Sequence, residues 1–244
     1  MDPVIDIVNR SNQRGGRMLS VIDLLEAGTL SRPQACWLLA RIVQGSSFLV
    51  GARPGGAGKT AIQGALLGML PAAGAIRLAT PDSGWEESRQ GDCVVAYEIG
   101  RGNWEAYVWG DSLVRLTALG RAGCRIVTNL HADTLEQARE QVAVQCGAGE
   151  DGLRAFEIFI PVRMSGHGYG RIQRVVEQIT WYGPGGWQSY DESQETSVLA
   201  QGAIGPFLDR CLAEGLRTIE AVRAAWLADL PALTPSIPDE PGAG

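Results

Sequence analysis

Between residues 46 and 71 three pieces follow one another in an order that few folds accommodate. Ser46-Ser-Phe-Leu-Val50 is a short apolar run that reads as a buried strand. "GARPGGAGKT", residues 51–60, is a glycine-rich loop. Ile62, Ala65, Leu66, Met69 and Leu70 then recur at helical spacing until Pro71, the pattern of a helix with one apolar face. Strand, glycine loop and helix together form the context in which Gly-Lys-Thr holds phosphate. Glycine freedom lets backbone N–H groups converge on an anion, and the helix amino terminus adds partial positive charge.

The loop departs from the strict phosphate-loop spacing. Gly-x-x-x-x-Gly-Lys-Ser/Thr, counted back from Gly58, Lys59 and Thr60, asks for glycine where the chain has Arg53. If that position needs a positive φ, arginine is strained there by about 1–2 kcal/mol, and Gly51 or Gly55 has to make the turn. Against this stands a compositional fact: Lys59 is the only lysine among 21 basic residues. A sequence that uses arginine everywhere else keeps one compact ammonium on a long stem, the shape of cation that reaches outer phosphates. The plain alternative is a surface glycine loop with an incidental lysine.

Length and composition set the remaining bounds. The 244 residues suffice for one good core or a core with a small appendage. With 45% hydrophobic and 20% charged residues, and no apolar run of about 18 residues, the chain reads as soluble and globular. No basic amino-terminal segment leads into an apolar stretch, which speaks against export and for a cytoplasmic protein. Cys36, Cys93, Cys124, Cys146 and Cys211 form no Cys-x-x-Cys pair and read as buried free thiols. A net charge of −6 and a pI near 5.0 disfavour nucleic acid as a direct partner, because phosphate-backbone binding needs a basic surface.

Along the chain, residues 1–16 are polar and read as a flexible amino terminus. Ser20 with Asp23, and Ser31 with Gln34, have capping-box spacing and open helices to Ala27 and Val43, stopped by Gly28 and Gly45. Strands and helices then alternate: strand 46–50, helix 60–70, strands 76–80 and 93–97, helix 103–119, strand 124–130, helix 134–146. This predicts an α/β fold with a mainly parallel sheet covered by helices on both faces. Phe156, Ile158, Ile160 and Val162 alternate, a second run spans 171–180, and Ser165-Gly-His-Gly-Tyr-Gly170 between them reads as a β-hairpin loop. Residues 17–182 form the core, 183–196 a linker, 197–232 a small helical segment with helices near 197–214 and 218–229, and 233–244 a disordered tail. Trp104 and Trp109 read as packing residues at helical spacing.

A phosphate loop that hydrolyses needs Mg²⁺ and a carboxylate at the carboxyl end of a nearby strand. "DCVVAYE" places Asp92 and Glu98 at opposite ends of one strand, about 20 Å apart, so they cannot serve one site. Ligands gather at the carboxyl ends of parallel strands, which selects Glu98 and leaves Asp92 to orient the strand's beginning. Glu98 can hold the metal shell through water or take a proton from attacking water; the residues do not separate the two roles. The strand from Cys124 ends on the same edge and delivers His131, which can sense the terminal phosphate or, more plainly, cap a helix.

The stretch "DLLEAGTLSRPQACWLLARIVQGSSFLVGARPGGAGKT" resembles the approach to the phosphate loop in ATPases of the type II/type IV secretion and pilus-assembly superfamily, especially the tight-adherence pilus branch. "GDCVVAYEIGRG" is similar to the Walker B strand of that family and "ALGRAGCRIVTNLHADTLEQA" to its histidine box. The likeness covers about residues 20 to 180. It implies a RecA-like P-loop NTPase core, ATP and Mg²⁺ as ligands, a homo-oligomeric, usually hexameric ring, and work on membrane-associated secretion or pilus machinery at its cytoplasmic face. Backbone N–H groups of Gly55, Gly56, Ala57, Gly58, Lys59, Thr60 and Ala61 are then expected to hold the nucleotide. Thr60 and Glu98 are expected to serve the metal, with Glu98 as Walker B acid, His131 as sensor and Asp82 as a water-orienting acid.

The departures from that pattern are specific. Beyond Arg53, the acidic box reads "TPDSGWEE", so Pro81 stands where the family has a glutamate and Glu86 falls one residue late. Tyr97 replaces the glycine before the Walker B glutamate, and the following arginine is displaced to Arg101. The family's folded amino-terminal domain has almost no room ahead of residue 17. Binding survives such losses more easily than fast turnover does, since one missing charge-stabilising group costs about 10²-fold or more in rate. The rival expectation is a nucleotide-binding regulatory module with little or no hydrolysis, favoured by Arg53 and Pro81.

Overall fold

The computed structural model describes residues 2–12, 15–166 and 172–237. Its strands are β1 (Phe48–Gly51), β2 (Ile76–Leu78), β3 (Cys93–Val95), β4 (Glu98–Ile99), β5 (Tyr107–Val108), β6 (Arg125–Leu130), β7 (Ile158–Pro161), β8 (Arg163–Ser165), β9 (Gln173–Val175), β10 (Thr180–Gly183) and β11 (Gly186–Ser189). The helices are α1 (Pro3–Arg10), α2 (Val21–Glu26), α3 (Arg32–Gln44), α4 (Lys59–Leu67), α5 (Asp111–Arg121), α6 (Leu135–Arg139), α7 (Gly149–Arg154), α8 (Glu195–Ala213) and α9 (Ile219–Leu233).

The main sheet runs β11-β10-β7-β1-β6-β3-β2, and its segment from β7 to β2 is parallel throughout. β10 and β11 extend it antiparallel at one edge. The loop-bearing strand β1 therefore lies inside the sheet, paired with β6 through Phe48↔Val127 and with β7 through Phe48↔Ile158. β8 and β9 form a separate two-stranded hairpin.

Alternate residues of the buried strands enter two cores, as the two-residue period of a strand requires. Phe48, Val50, Val95, Val127, Ile158 and Ile160 join a core with α1 to α4, α8 and α9. Leu49, Val94, Ile126 and Phe159 face the other way and meet Leu113, Leu116, Ala138 and Leu153 of α5, α6 and α7. Each such side chain contributes roughly 1.5–3 kcal/mol when fully removed from water. The α/β class, the mainly parallel sheet and its helices on both faces are as expected. Both capping boxes form, and Gly45 ends α3 with φ 105°. Among the described residues no helix is long and apolar enough to cross a membrane.

Several local expectations are corrected. The amino-terminal segment contains α1, whose Val4, Ile5, Ile7 and Val8 are buried in the core, with Asp2 as its cap. The helix expected over 103–119 starts only at Asp111, because 103–110 is drawn into strand pairing: Tyr97 N–H donates to Ala106 O and Gly100 N–H to Val108 O. Gly110, at φ 57° and ψ −126°, breaks any helix before it. Trp104 consequently stands 69% exposed, and only Trp109 packs. The expected strand 93–97 stops at Val95, and the helix expected over 134–146 widens into a π-helical turn over Glu140–Gln145. Of the run 171–180, residues 173–175 pair in the hairpin and Thr180 begins β10; the hairpin turn at 167–170 lies outside the described residues. β11 occupies part of the expected linker, and the tail from 238 onward also lies outside the described residues. All five cysteines are free and buried, and burial pushes the Cys36 thiol up to about 11 and that of Cys93 to about 12.

Candidate functional site

The glycine loop leaves the carboxyl end of β1 and turns into α4. Arg53 does not carry the turn: among the described residues the non-glycine positions with positive φ are Ala106 and Glu157. Gly56 at φ 84° and Gly58 at φ 100° carry it instead. Gly51 is needed for another reason. A Cβ there would run into the Ala132 carbonyl and come within 2.5 Å of the Phe159 ring. Among the described residues nothing lies within 4 Å of where a Gly55 Cβ would stand, so that position could bear a side chain. Arg53 N–H is held by Asp133 Oδ1 at 2.8 Å, which ties the loop to the segment after β6.

No side chain caps α4 at Gly58. Among the described residues no protein group accepts the N–H bonds of Gly58, Lys59, Thr60 or Ala61, and the half-buried Thr60 hydroxyl makes no hydrogen bond. Lys59, only 8% exposed, folds back beneath the loop and donates to Ala52 O at 3.2 Å. Its Nζ lies 3.5 Å from Glu98 Oε1 and 3.5 Å from His131 Nδ1. His131 Nε2 approaches the same Glu98 oxygen at 2.6 Å, and its Nδ1 faces Arg53 O at 2.9 Å.

Glu98 reaches this place because the chain changes course after β3. Ala96 N–H still donates to Val127 O, Tyr97 is diverted to Ala106, and β4 resumes against β6 at Ile99↔Leu130. A buried polar relay fixes that bend. Gln63, one helical turn after Lys59, donates to Ala96 O at 2.9 Å and accepts from Asn129 Nδ2 at 2.8 Å, while Asn129 Nδ2 also donates to Tyr97 O at 2.9 Å. Burying an amide is costly without partners, and these join α4, β6 and the bend in one network, in which Asn129 Oδ1 has no partner among the described residues. Tyr107 donates its hydroxyl to Glu98 Oε2 at 3.3 Å; burial first, and then the nearby carboxylate, hold the phenol above its ordinary range, so it remains a donor. Glu98 Oε1 is itself buried and, among the described residues, takes no well-aligned hydrogen bond, despite the two nitrogens beside it.

Of the residues singled out from sequence, Lys59, Glu98 and His131 are brought together at the carboxyl edge of the sheet, with Thr60 and the N–H groups of 58–61 adjoining them. The N–H of Ala57 is instead turned to Pro54 O at 3.3 Å. Asp82 stands apart. It is exposed in the turn after β2, the far strand of the sheet, and among the described residues no hydrogen bond or ion pair joins it to the cluster. Asp92 anchors the beginning of its strand, as expected, by accepting from Ala75 N–H at 2.8 Å and Arg77 Nη1 at 2.9 Å. Sequence reasoning missed Gln63, Asn129, Asp133, Tyr107 and Arg174. A polar Asn129 inside the apolar run of β6 was the one available sign of the relay. Arg174 has no such sign; its guanidinium reaches the loop from β9 and donates to Gly56 O.

A cavity of about 400 Å³ adjoins the loop between Arg53, His131, Glu136, Gln137 and Gln141. A larger cleft, about 830 Å³, lies at the opposite edge of the sheet among Arg41, Gly45, Arg121, Arg154 and Glu157. Lys59, Glu98 and His131 lie at the carboxyl edge, the edge at which parallel sheets generally bind ligands.

No family model and no curated protein matches the chain. Among solved structures it is similar to the VirB11 ATPase from the Brucella suis type IV secretion system, determined in complex with sulphate. The identity is 15% and the TM-score 0.47, over 66% of this chain and 54% of that one, so the present chain spans about half the length of its structural neighbour.

Proposed function

We propose that the chain binds ATP with Mg²⁺ at the glycine loop and hydrolyses it as a motor-type ATPase of the secretion and pilus-assembly kind. The observation that carries the reading is the 3.5 Å approach of the sole lysine, Lys59, to Glu98 beneath the loop. The residues fit such a ligand. Among the described residues the N–H groups of residues 58–61 have no protein acceptor, the Thr60 hydroxyl is unengaged, and Glu98 Oε1 is a buried acceptor without an aligned donor. Among the described residues no cluster of three or more His, Cys, Asp or Glu could hold a metal alone. Magnesium is suited to such a site because it takes few protein ligands and completes its shell with phosphate oxygens and water. Thr60 and Glu98 are the residues that would hold it, and bound there it would neutralise charge on the phosphates. Lys59 then binds the outer phosphates, Glu98 orients or deprotonates the attacking water, and His131 reports on the terminal phosphate by exchanging its contact with Glu98. The resemblance of the motifs supports a homo-oligomeric, hexameric ring acting on membrane-associated machinery from the cytoplasmic side.

A second reading, a nucleotide-binding module with little hydrolysis, is favoured by the isolation of Asp82 from the cluster and by Pro81 beside it. Turnover of Mg-ATP by the wild type, Glu98→Gln and Lys59→Ala separates the two. Turnover in the wild type that both variants lose supports the ATPase. Binding without any turnover beyond that of Glu98→Gln supports the module. No calorimetric signal with an unhydrolysable ATP analogue at millimolar concentration would overturn both.

A further inference from the structure

The β8–β9 hairpin is separate from the main sheet, yet one of its side chains reaches the glycine loop. Arg174 Nε and Nη2 each lie 3.2 Å from Gly56 O, and its Cδ lies 3.0 Å from where a Gly58 Cβ would stand. The other polar end of the same peptide unit, Ala57 N–H, donates to Pro54 O at 3.3 Å. The 56–57 peptide is thus fixed at both ends, between two glycines at φ 84° and 100°. Glycines have the most conformational freedom to lose, so a loop of this composition does not hold one shape unaided. A guanidinium has five donors in a rigid plane, and two spent on one carbonyl leave others for a second acceptor.

We infer that Arg174 is a positioning residue of the phosphate loop: it clamps the 56–57 peptide so that the N–H groups of 58–61 stand ready for a polyphosphate, and it sets a second cation beside that site. The inference rests on the nucleotide reading above. Ordering the loop in advance raises affinity by removing the cost of ordering it on binding. Arg174 therefore acts on uptake of the nucleotide, whereas Glu98 acts on its hydrolysis.

Two measurements on the full chain test this, with wild type, Arg174→Ala and Arg174→Lys. In the first, amide hydrogen exchange without ligand is expected to be several-fold faster over residues 55–61 in Arg174→Ala, with β1 and β6 unchanged. In the second, calorimetry with Mg-ATP is expected to show affinity about tenfold weaker in Arg174→Ala, the size of one charge-assisted hydrogen bond, and partly restored in Arg174→Lys. Where turnover is measured, KM rises and kcat stays. Loop exchange and affinity equal to wild type in Arg174→Ala, while Lys59→Ala weakens binding at least tenfold, would overturn the role of Arg174 and leave the nucleotide reading standing. A wild type that takes up no Mg-ATP at millimolar concentration would overturn that reading and this inference with it.

Discussion

Lys59 Nζ and Glu98 Oε1 stand 3.5 Å apart although β6 lies between the strands that lead to them. Each is mostly buried, so each depends on the other for compensation of its charge. Lys59→Ala is expected to weaken Mg-ATP binding by about 10- to 100-fold, the worth of hydrogen bonds to a charged group. Glu98→Gln keeps the shape and is expected to bind ATP with near wild-type affinity while turnover falls by about 10²-fold or more. Calorimetry and a phosphate-release assay on the same preparations check both.

Gly51 and Gly55 make a controlled pair. Gly51→Ala places a methyl group against the Ala132 carbonyl and the Phe159 ring, where neither backbone nor core can yield cheaply. Overpacking of this sort costs about 1–3 kcal/mol, which lowers Tm by several degrees in a chain of this size. Gly55→Ala meets nothing within 4 Å among the described residues and is expected to leave Tm unchanged. Thermal unfolding of the two variants checks the contrast.

The Asp92 carboxyl is held below the ordinary carboxylate range by the N–H groups of Arg89 and Ala75, and then by the Arg77 guanidinium. A depressed folded-state value means that the contribution is fully present above the unfolded pKa of about 3.9 and is lost as pH falls through the lower folded value. Asp92→Asn is therefore expected to be less stable than wild type near neutral pH and to lose less on acidification below about pH 4. Urea unfolding across that range measures the difference in slope.

Arg223 is buried at the far end of α4. It donates to Gly68 O at 3.0 Å and Leu70 O at 2.8 Å and pairs with Asp2 at 2.5 Å, beside Trp226 donating to Met69 O at 2.6 Å. Arg223→Met removes the donors and strands two buried carbonyls, each costing about 1–3 kcal/mol. The expected outcome is a fall in urea stability of at least that size, with Mg-ATP affinity preserved in the folded fraction.

What could be read in the sequence was what local chain chemistry determines. That Lys59, Glu98 and His131 share one edge was legible from three apolar runs, because parallel strands align their carboxyl ends, but how the glycine loop returns Lys59 and how the bend after β3 delivers Glu98 were not. The capping boxes at Ser20 and Ser31 were legible for the same local reason. The segment 103–110 was misread as helix because helical spacing of Trp104 and Trp109 says nothing about Tyr97 and Gly100 recruiting it by hydrogen bonds. Helix α1 was missed because its apolar residues count only once the groove beside α4 exists to receive them. Arg174 could not have been found at all, since its partner is a backbone carbonyl more than a hundred residues away.

β6 acts as a gauge block. Hydrogen-bonded to β1 on one flank and to β3 and β4 on the other, it holds the backbones of those strands two inter-strand spacings apart, about 10 Å, and the Lys59 and Glu98 side chains close that distance to 3.5 Å. Rotamer changes in Lys59 or Glu98 cannot alter that backbone width. A different spacing of those backbones would require a different sheet, so the strand order, more than either side chain, fixes the span that Lys59 and Glu98 bridge.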